Sequence, residues 1–526
     1  FHRGLLFGVD NAVVEQFFFQ QTRFARLLNV LAQPSVTPKI GIGVDGLAGS
    51  FITDRTTVGG SFGTYTTSIF DAESFGSAAN AQFVNNILSI HDVVFHVLAP
   101  GTSTYDLTTR QVTLNAVPVE IPVYEPRSFD MLKLPDNAGG LILAGNLEAN
   151  LAGNPVLTEF VQLSGGASAN ILIVADGYAD DPTAQAAADA YAAALGVSNT
   201  IVIVGPSPVP AVGDFTGILL IGRDKTLITP ASVATVLGTR WQDGTPVLAD
   251  NAMATILGTW YANNKPTDIG GPNEALDTQG SMVIGNTVIG AGLGWIDASF
   301  ESTVLVDQRP GRWISLAYNH PETLEVALLD DTALELTPQR TRVLGTDGVM
   351  LFDARRATLA LGTNNAFVIA NALVDTYATG ETLPVNLLLN GGFDGDVDAN
   401  KLPLDWKAKG MSRKDKVKVD KPDDDLSVDG SKAFVFKGEV AENSKLVQKL
   451  PVTGLVAGDT LQLSGYFRGK NVADGLTIQV KVKYVDSSVT ASKITVTVAP
   501  GTFDYTYLSS STTTAGVPLL LKTRVR

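Results

Sequence analysis

The sequence predicts a multidomain chain in which α/β material built on parallel sheets is followed by an all-β sandwich. Three observations carry that prediction. Between residues 139 and 380, short unbroken apolar runs alternate with helical segments. After residue 386, apolar and polar residues alternate over four separate runs. Lysine usage changes at the same point, 16 of the 20 lysines lying after Leu387.

Taken in chain order, residues 1–125 form a first segment, and the proline- and turn-rich stretch 126–138 reads as a linker. Leu141–Leu143 is a buried strand running into Gly145. Pro155–Leu163 has helical spacing and stops at Gly165 and Gly166. Ile171–Val174 is a second strand, and the alanine-rich stretch Thr183–Leu195 is a helix stopped by Gly196. Ile201–Val204 and Ile218–Ile221 are further strands. Strands that are apolar throughout and alternate with helices belong to a parallel sheet covered on both faces. Val247–Leu248 then enters a tight turn into a helix near Ala252. The connection to the last domain runs over Tyr377–Pro384, with the linker itself at 381–385. Beyond it, Lys432–Lys437, Thr460–Ser464, Thr477–Tyr484 and Lys493–Val498 alternate as half-buried antiparallel strands do.

Composition narrows the function. The 526 residues carry a net charge of −15 and no cysteine, which removes disulfides, thiolate metal sites and a cysteine nucleophile. Four histidines, His2, His91, His96 and His320, leave little for histidine-rich metal chemistry. The acidic balance, with no basic stripe along the whole chain, makes nucleic acid an unsuitable partner. No apolar run reaches the length of a membrane span. The chain starts at Phe1 with no intact signal peptide, so the expectation is a start after processing or inside a longer precursor. The Gly- and Thr-rich, acidic composition suits a secreted protein, extracellular or at the cell surface.

The middle segment, over nearly all of 139–375, resembles the peptidase S51 family of cyanophycinase-like serine peptidases. Phe160–Gly166 followed by Ala169–Val174 is similar to that family's first helix and second strand. Gly222–Lys225 resembles its Gly-Gly-Asp-Gln loop, and Ala249–Ala254 stands where the family has Gly-Thr-Ser-Ala-Gly-Ala. Val306–Arg309 stands at its Val-Asp-Gln-His, and Leu329–Leu334 resembles its Asp-Glu-Asp-Thr-Ala-Leu. The resemblance implies a serine on a strained strand-to-helix elbow, where a helix N-terminus supports an oxyanion. Here that position is Asn251, an amide with no ionisable hydroxyl. The position of the general base is Arg309, which stays protonated. Met253 replaces the glycine after the elbow, and Arg223 and Lys225 replace glycine and glutamine in the second loop. The resemblance therefore implies a pseudoenzyme with no catalytic residues.

Residues 1–125 read as the second half of the same unit repeated. Val14–Phe17 corresponds to Val306–Arg309, which puts Phe17 at the base position. Gly43–Asp45 then Ser50–Thr53 corresponds to Leu329–Asp331 then Leu334–Thr337, and Ser68–Ala72 to Met350–Ala354. Phe95 and Tyr105 are ten apart, as are Phe367 and Tyr377. The first half of this copy, with the elbow, is missing, so its apolar face needs cover. Either the missing half lies upstream, or the segment packs on another surface such as a partner subunit. Two motifs here mislead. Gly41–Gly46 matches G-x-G-x-x-G, but the following Ser50–Thr53 reads as strand, not helix. Gly59–Gly63 matches G-x-S-x-G and reads as a hairpin turn.

The last segment, about 386–526, resembles galactose-binding-like jelly rolls, which include many carbohydrate-binding modules. Asn386–Asp394 followed by Pro403–Trp406 carries the likeness. Asp394, Asp396 and Asp398 are spaced two apart, so they either converge on a structural Ca2+ or form a solvated acidic turn. Asp423–Asp425 reads as a charged loop, and Lys407–Lys421 as a solvated face or loop. Trp406 stands at a position the family uses as core. Tyr466, Tyr484, Tyr505 and Tyr507 are unranked candidates for a sugar platform. Trp241, Trp260, Trp295 and Trp313 fill α/β cores or interfaces.

Three functions follow. The first is an extracellular structural protein whose inactive S51-like blocks assemble with copies of themselves into a filament, sheath or surface layer. The second is a secreted adhesion protein holding a cell-surface glycan through the jelly roll. The third is an active S51-like peptidase, against which Asn251 argues.

Overall fold

The structure is a computed structural model and describes residues 9, 11–37, 39–73, 81–120, 128–135, 137–205, 215–228, 237–263, 280–338, 340–393, 395–419, 432–437, 444–452, 455–472 and 476–525. It is mostly β, in several sheets, with two compact units, Phe1–Pro384 and Val385–Arg526.

The chain of the first unit opens with β1 (Val13–Gln16), α1 (Phe24–Ala32), β2 (Ile40–Val44), β3 (Ala48–Thr53), β4 (Thr57–Gly63) and β5 (Thr67–Asp71). It continues with β6 (Ala81–Val84), β7 (Ile87–Leu98), β8 (Thr104–Asp106), β9 (Gln111–Leu114) and β10 (Val117–Pro118). Then come β11 (Leu141–Ala144), α2 (Pro155–Leu163), β12 (Asn170–Ala175), α3 (Asp181–Leu195), β13 (Asn199–Val204) and β14 (Gly217–Gly222). β15 (Val247–Asn251) leads into α4 (Ala252–Ile256), β16 (Trp260–Asn263), β17 (Val288–Ala291), β18 (Ser299–Ser302) and α5 (Pro310–Asn319). The unit closes with β19 (Leu324–Leu328), β20 (Thr332–Leu336), β21 (Thr341–Gly345), β22 (Gly348–Asp353), β23 (Thr358–Leu361), β24 (Phe367–Ala378) and β25 (Thr382–Leu383).

The helices form where capping chemistry allows. The Asn154 side chain accepts from the Val156 amide and Pro155 opens α2. Asp180 accepts from the Thr183 amide at the start of α3, and Gly196, at φ 64°, ends it. One sheet of eight strands runs β13-β12-β14-β15-β11-β20-β21-β25. Its first five strands are parallel, and the remainder are antiparallel. Ile142, Ile171, Ile173 and Leu219 pack on one face with α2 and α3, through Phe160, Ala188 and Tyr191. The opposite face, with Leu141, Leu143 and Val247, packs on Val326, Leu328 and Leu351 of a second sheet.

That second sheet has ten strands and reads the same from either end. Its order is β1-β2-β5-β7-β24-β22-β19-β18, with β6 and β23 flanking the two central strands. β1 and β2 are parallel, as are β18 and β19, and the other neighbours are antiparallel. The N-terminal copy and the complete copy therefore meet at β7 and β24 about a pseudo-two-fold axis. Asp92 in β7 and Asn371 in β24 both have positive φ, 59° and 65°. Val94 and Leu373 each follow two residues later and lie opposite one another. The Asp92 amide donates to the Asp375 carboxylate at 2.8 Å, and the Asn371 amide donates to His96 Nδ1 at 3.1 Å. His96 and Asp375 each stand four residues after the kinked position, so the two bonds are mirror partners.

This register corrects two readings. The residues 1–125 and 139–380 are not separate domains, because one sheet runs through both. The face of the half copy that lacks its missing half is covered within the chain, by strands of the half copy itself. Phe95 corresponds to Val374, not Phe367, since both lie three residues beyond the shared kink. Around the seam, Phe24 of α1 reaches Trp313 of α5, with ring centroids 6.0 Å apart, and Phe95 meets Phe352 at 5.6 Å. Aromatic burial thus ties both copies to one core.

A five-stranded sheet, β10-β9-β8-β4-β3, covers that face of the half copy through Val58, Tyr105 and Val112 against Ile40, Ile69 and Leu98. Gly41–Gly46 is followed by strand β3, as expected. Gly59–Gly63 lies inside β4 and is not a turn. The hairpin apex falls at Asp54 and Arg55, both at positive φ, which is the requirement of a tight β-hairpin turn.

The second unit contains β26 (Lys407–Lys409), β27 (Lys416–Val419), β28 (Lys432–Val435), β29 (Lys445–Pro451), β30 (Thr460–Val472), β31 (Leu476–Tyr484), β32 (Ser492–Val498), β33 (Gly501–Thr513) and β34 (Pro518–Val525). The antiparallel sheet β26-β29-β34-β31-β32 is accompanied by the pairs β27-β28 and β30-β33. Alternate residues Ile478, Val480, Val482, Ile494 and Val496 point into a core that also holds Trp406 and Leu446. Part of the lysine-rich run read as loop or solvated face is strand, in β26 and β27.

Gly43 of β2 lies beneath the Phe18 ring, where an added Cβ would sit 2.4 Å from it. Phe18 is buried among Phe19, Phe24 and Phe70 and has no room to swing. Gly43→Val is expected to cost about 1–3 kcal/mol through overpacking, read as a lowered Tm in a thermal scan.

Candidate functional site

The parallel strands β11, β12, β14 and β15 end along one edge, the edge at which open α/β sheets bind ligands. β15 turns directly into α4 at Asn251, which holds φ 53° and ψ −119°. This is the strained strand-to-helix geometry of a nucleophile elbow, with an amide side chain at its apex. The buried Ser302 at the end of β18 donates its hydroxyl to Asn251 Oδ1 at 2.9 Å. Met253, on the first turn of α4, packs toward Gly222 at the end of β14, where an added Cβ would lie 3.4 Å from its side chain.

A charged cluster stands beside the elbow. Lys225 follows β14 and is buried, with Nζ 2.7 Å from both carboxylate oxygens of Glu301 and 3.0 Å from the Ala262 carbonyl. Burial holds the Lys225 ammonium down at about 8, against the pull of Glu301. Arg309, directly before α5, donates to Thr303 Oγ1 at 3.2 Å. It lies 3.2 Å from Asp307 and 4.0 Å from Glu301. Its guanidinium is therefore engaged with carboxylates and cannot take a proton from a nucleophile.

Under the elbow, the buried Asp250 accepts from the Tyr191 hydroxyl and, at 3.1 Å, from the Leu147 amide. Burial pushes its carboxyl up to about 7. Glu325 of β19 is also buried, accepts from Thr323 Oγ1 at 2.7 Å, and is pushed up to about 8. Around the rim, Arg223 pairs with Glu148 at 2.7 Å and Asn146 donates to Asp330 at 3.0 Å.

No described histidine hydrogen-bonds to Asn251 or Ser302. His91 lies 3.3 Å from Ser89, but Ser89 donates its proton to Glu381 at 3.0 Å, so the pair is not a nucleophile and its base. His96 accepts from the Asn371 amide, and burial lowers it to about 3. His320 stacks on Trp260 with centroids 3.8 Å apart.

The half copy repeats the charged pair. Glu15, third in β1, lies 2.9 Å from Arg23, which directly precedes α1. Glu301 is likewise third in β18, and Arg309 precedes α5. Positive φ at Phe17 and Thr22 matches Thr303 and Gln308. Arg23, not Phe17, is thus the counterpart of Arg309, and Phe17 is that of Thr303. Sequence reading fixed on the similar Val-x-Gln runs and missed Glu301, Ser302 and Asp250. The visible signal was charge at the ends of otherwise apolar strands.

In the second unit, Trp406 is buried, its Nε1 donating to the Leu389 carbonyl at 3.2 Å. Tyr484 is core, with its hydroxyl 2.6 Å from Ser492. Tyr466 and Tyr507 are cross-strand partners on β30 and β33, with centroids 5.1 Å apart. Gln462 donates to the Tyr507 hydroxyl at 3.3 Å, and the Arg468 guanidinium lies 5.7 Å from the Tyr505 ring. These side chains share one partly exposed face, which ranks the tyrosines. Asp394, like Asp423–Asp425, lies outside the described residues. Asp398 accepts from the amides of Asn400 and Leu402 at 2.8 and 2.9 Å, the work of a turn. Among the described residues no three acidic or histidine side chains are grouped to hold a metal. Asp415, in the lysine-rich run, is buried and accepts from the Ser412 and Lys437 amides at 2.9 and 2.7 Å.

No family model matches the chain, and no curated protein matches it. Among solved structures, it is similar to a protein described as a peptidase E from Listeria monocytogenes EGD-e, at 9% identity and a TM-score of 0.25. That match covers 40% of this chain and 100% of the other. A second similarity is to the N-terminal CBM22-1–CBM22-2 tandem domain of Xyn10C from Paenibacillus barcinonensis, at 11% identity and a TM-score of 0.16. It covers 36% of this chain and 58% of that one.

The raised Asp250 has a directional consequence. Below about pH 4 both folded and unfolded chains hold its proton, and its contribution to stability is full. From there to about pH 7 only the folded chain holds it, so stability falls as pH rises. Asp250→Asn is expected to flatten that decline by about 1.4 kcal/mol per pH unit, measured by urea unfolding between pH 4 and 7.

Proposed function

We propose that this chain is a non-catalytic structural protein, extracellular or at the cell surface, built on an S51-like scaffold and assembling with copies of itself. The observation that carries the reading is the pairing of an intact elbow with the wrong chemistry. Asn251 keeps the strained backbone, while Arg309 is tied to Asp307 and Thr303 beside a buried Lys225–Glu301 pair. A carboxamide cannot form an acyl-enzyme and a guanidinium cannot act as base. The same Glu–Arg pair in the half copy supports a structural use of these positions in both repeats. A filament, sheath or surface layer is the form that repeated inactive blocks suit.

Incubation with an aspartyl dipeptide and with polyaspartate, followed by mass spectrometry, is expected to yield no product. Asn251→Ser alone is expected to yield none, because no base stands beside it. Hydrolysis by the unaltered chain would overturn the reading, and negative-stain imaging is expected to show ordered polymers.

A second reading, favoured by the Tyr466–Tyr507 face, is glycan binding by the C-terminal unit as a jelly-roll module. Two aromatic rings beside Gln462 and Arg468 offer the stacking surface and polar contacts that a sugar takes. On a glycan array, Tyr466→Ala with Tyr507→Ala is expected to weaken binding about tenfold or more. Unchanged binding would remove this face from the reading.

A further inference from the structure

We propose that the outer edge of β3 is a docking edge for a second copy of this chain, joined antiparallel to the same strand of its partner about a two-fold axis. The inference deepens the self-assembly reading and rests on it, by naming the surface through which copies meet.

β3 and β4 correspond to β20 and β21. Gly63 and Gly345 hold the same positive φ, 99° and 103°, and an added Cβ would strike the Leu47 carbonyl in one and the Asp331 carbonyl in the other. Ala48 opposite Gly63 therefore matches Thr332 opposite Gly345. In the complete copy, β20 is interior. Strand β11 lies antiparallel on its far edge, covering Ala333–Leu336. The matching residues in β3 are Gly49–Ile52. Among the described residues no strand covers them, and β3 ends its sheet.

The uncovered strip is apolar. Phe51 and Phe62 are 62% and 51% exposed with ring centroids 5.0 Å apart, and Leu47 and Ile52 flank them at 73% and 38%. No lysine or proline blunts the strand, the usual protection of an open edge. The contrast with β20, buried along its whole length, shows what the same position looks like when a strand is seated on it.

A second copy fits better than another occupant. β11, the strand seated at the equivalent edge, is engaged between β15 and its own β20 in each copy and is not free to be given. Among the described residues β3 has no strand on its outer edge, and its six residues carry no charge to oppose themselves when paired antiparallel. The chain already joins equivalent strands this way at β7 and β24. Such an isologous contact closes a dimer and supplies one of the two interfaces that a polymer requires.

The test compares the full chain with Phe51→Lys by light scattering after size exclusion, with circular dichroism to establish native folding. The expected result is an assembled parent and a Phe51→Lys variant whose mass falls by half or whose polymers are lost. As the chain contains no cysteine, Phe51→Cys under mild oxidation is expected to give a covalent dimer on a non-reducing gel. A folded Phe51→Lys variant that assembles like the parent, or a Phe51→Cys chain that gives no dimer while the parent assembles, overturns the β3 edge and leaves the self-assembly reading standing. A parent that stays monomeric at every concentration overturns both.

Discussion

Strands β7 and β24 are twelve residues each, and their mutual pairing is the constraint on which the first unit depends. It joins a half copy and a complete copy into one sheet, so neither set of strands ends at an open edge in the middle of the molecule. The kinks at Asp92 and Asn371 break the ladder at equivalent places. Each freed amide is then taken by a side chain of the opposite copy, Asp375 or His96. A buried amide left without an acceptor is costly, which explains why a histidine and an aspartate are held there. The aromatic layer of Phe24, Phe95, Trp313 and Phe352 forms across the same seam and is shared by both copies.

The charged cluster at the elbow follows from a different economy. Lys225 and Glu301 are both buried, and neither is tolerable alone in that setting. Together they neutralise one another, and the Ala262 carbonyl accepts a further hydrogen bond from the ammonium. Arg309 satisfies its own charge on Asp307 and keeps near Glu301. Beside the elbow these charged side chains are thus engaged chiefly with one another. The strained backbone at Asn251 is held in place by the burial of α4 and of most of β15.

Much of the architecture was legible in the amino-acid pattern. The apolar runs Leu141–Leu143, Ile171–Val174 and Ile218–Ile221 are strands, and the Asn154, Asp180 and Gly196 caps bound the helices expected between them. The repeat was also visible, but its register was not. Val14–Phe17 and Val306–Arg309 look alike, yet shared backbone kinks and the Glu–Arg spacing place Arg23 opposite Arg309. A side-chain pattern cannot count residues in a loop, whereas positive φ marks the same bend in both copies. Gly59–Gly63 misled for a related reason, since glycine is permitted in a turn and equally in a strand where Thr104 approaches closely.

The sequence by itself determined most of the element types between residues 139 and 222, the change of character after residue 386, and the amide and guanidinium identities of Asn251 and Arg309. These are local properties of spacing, propensity and functional group. Only the tertiary structure decided that the two copies share one sheet, that Lys225 and Arg309 are held among carboxylates, and that Tyr466 and Tyr507 meet while Tyr484 is buried. It also decided that, among the described residues, β3 ends its sheet where β20 is covered. Those facts depend on which distant strands pair and in what register, and hydrogen-bonding partners far apart in the chain leave no mark on the order of residues in either strand.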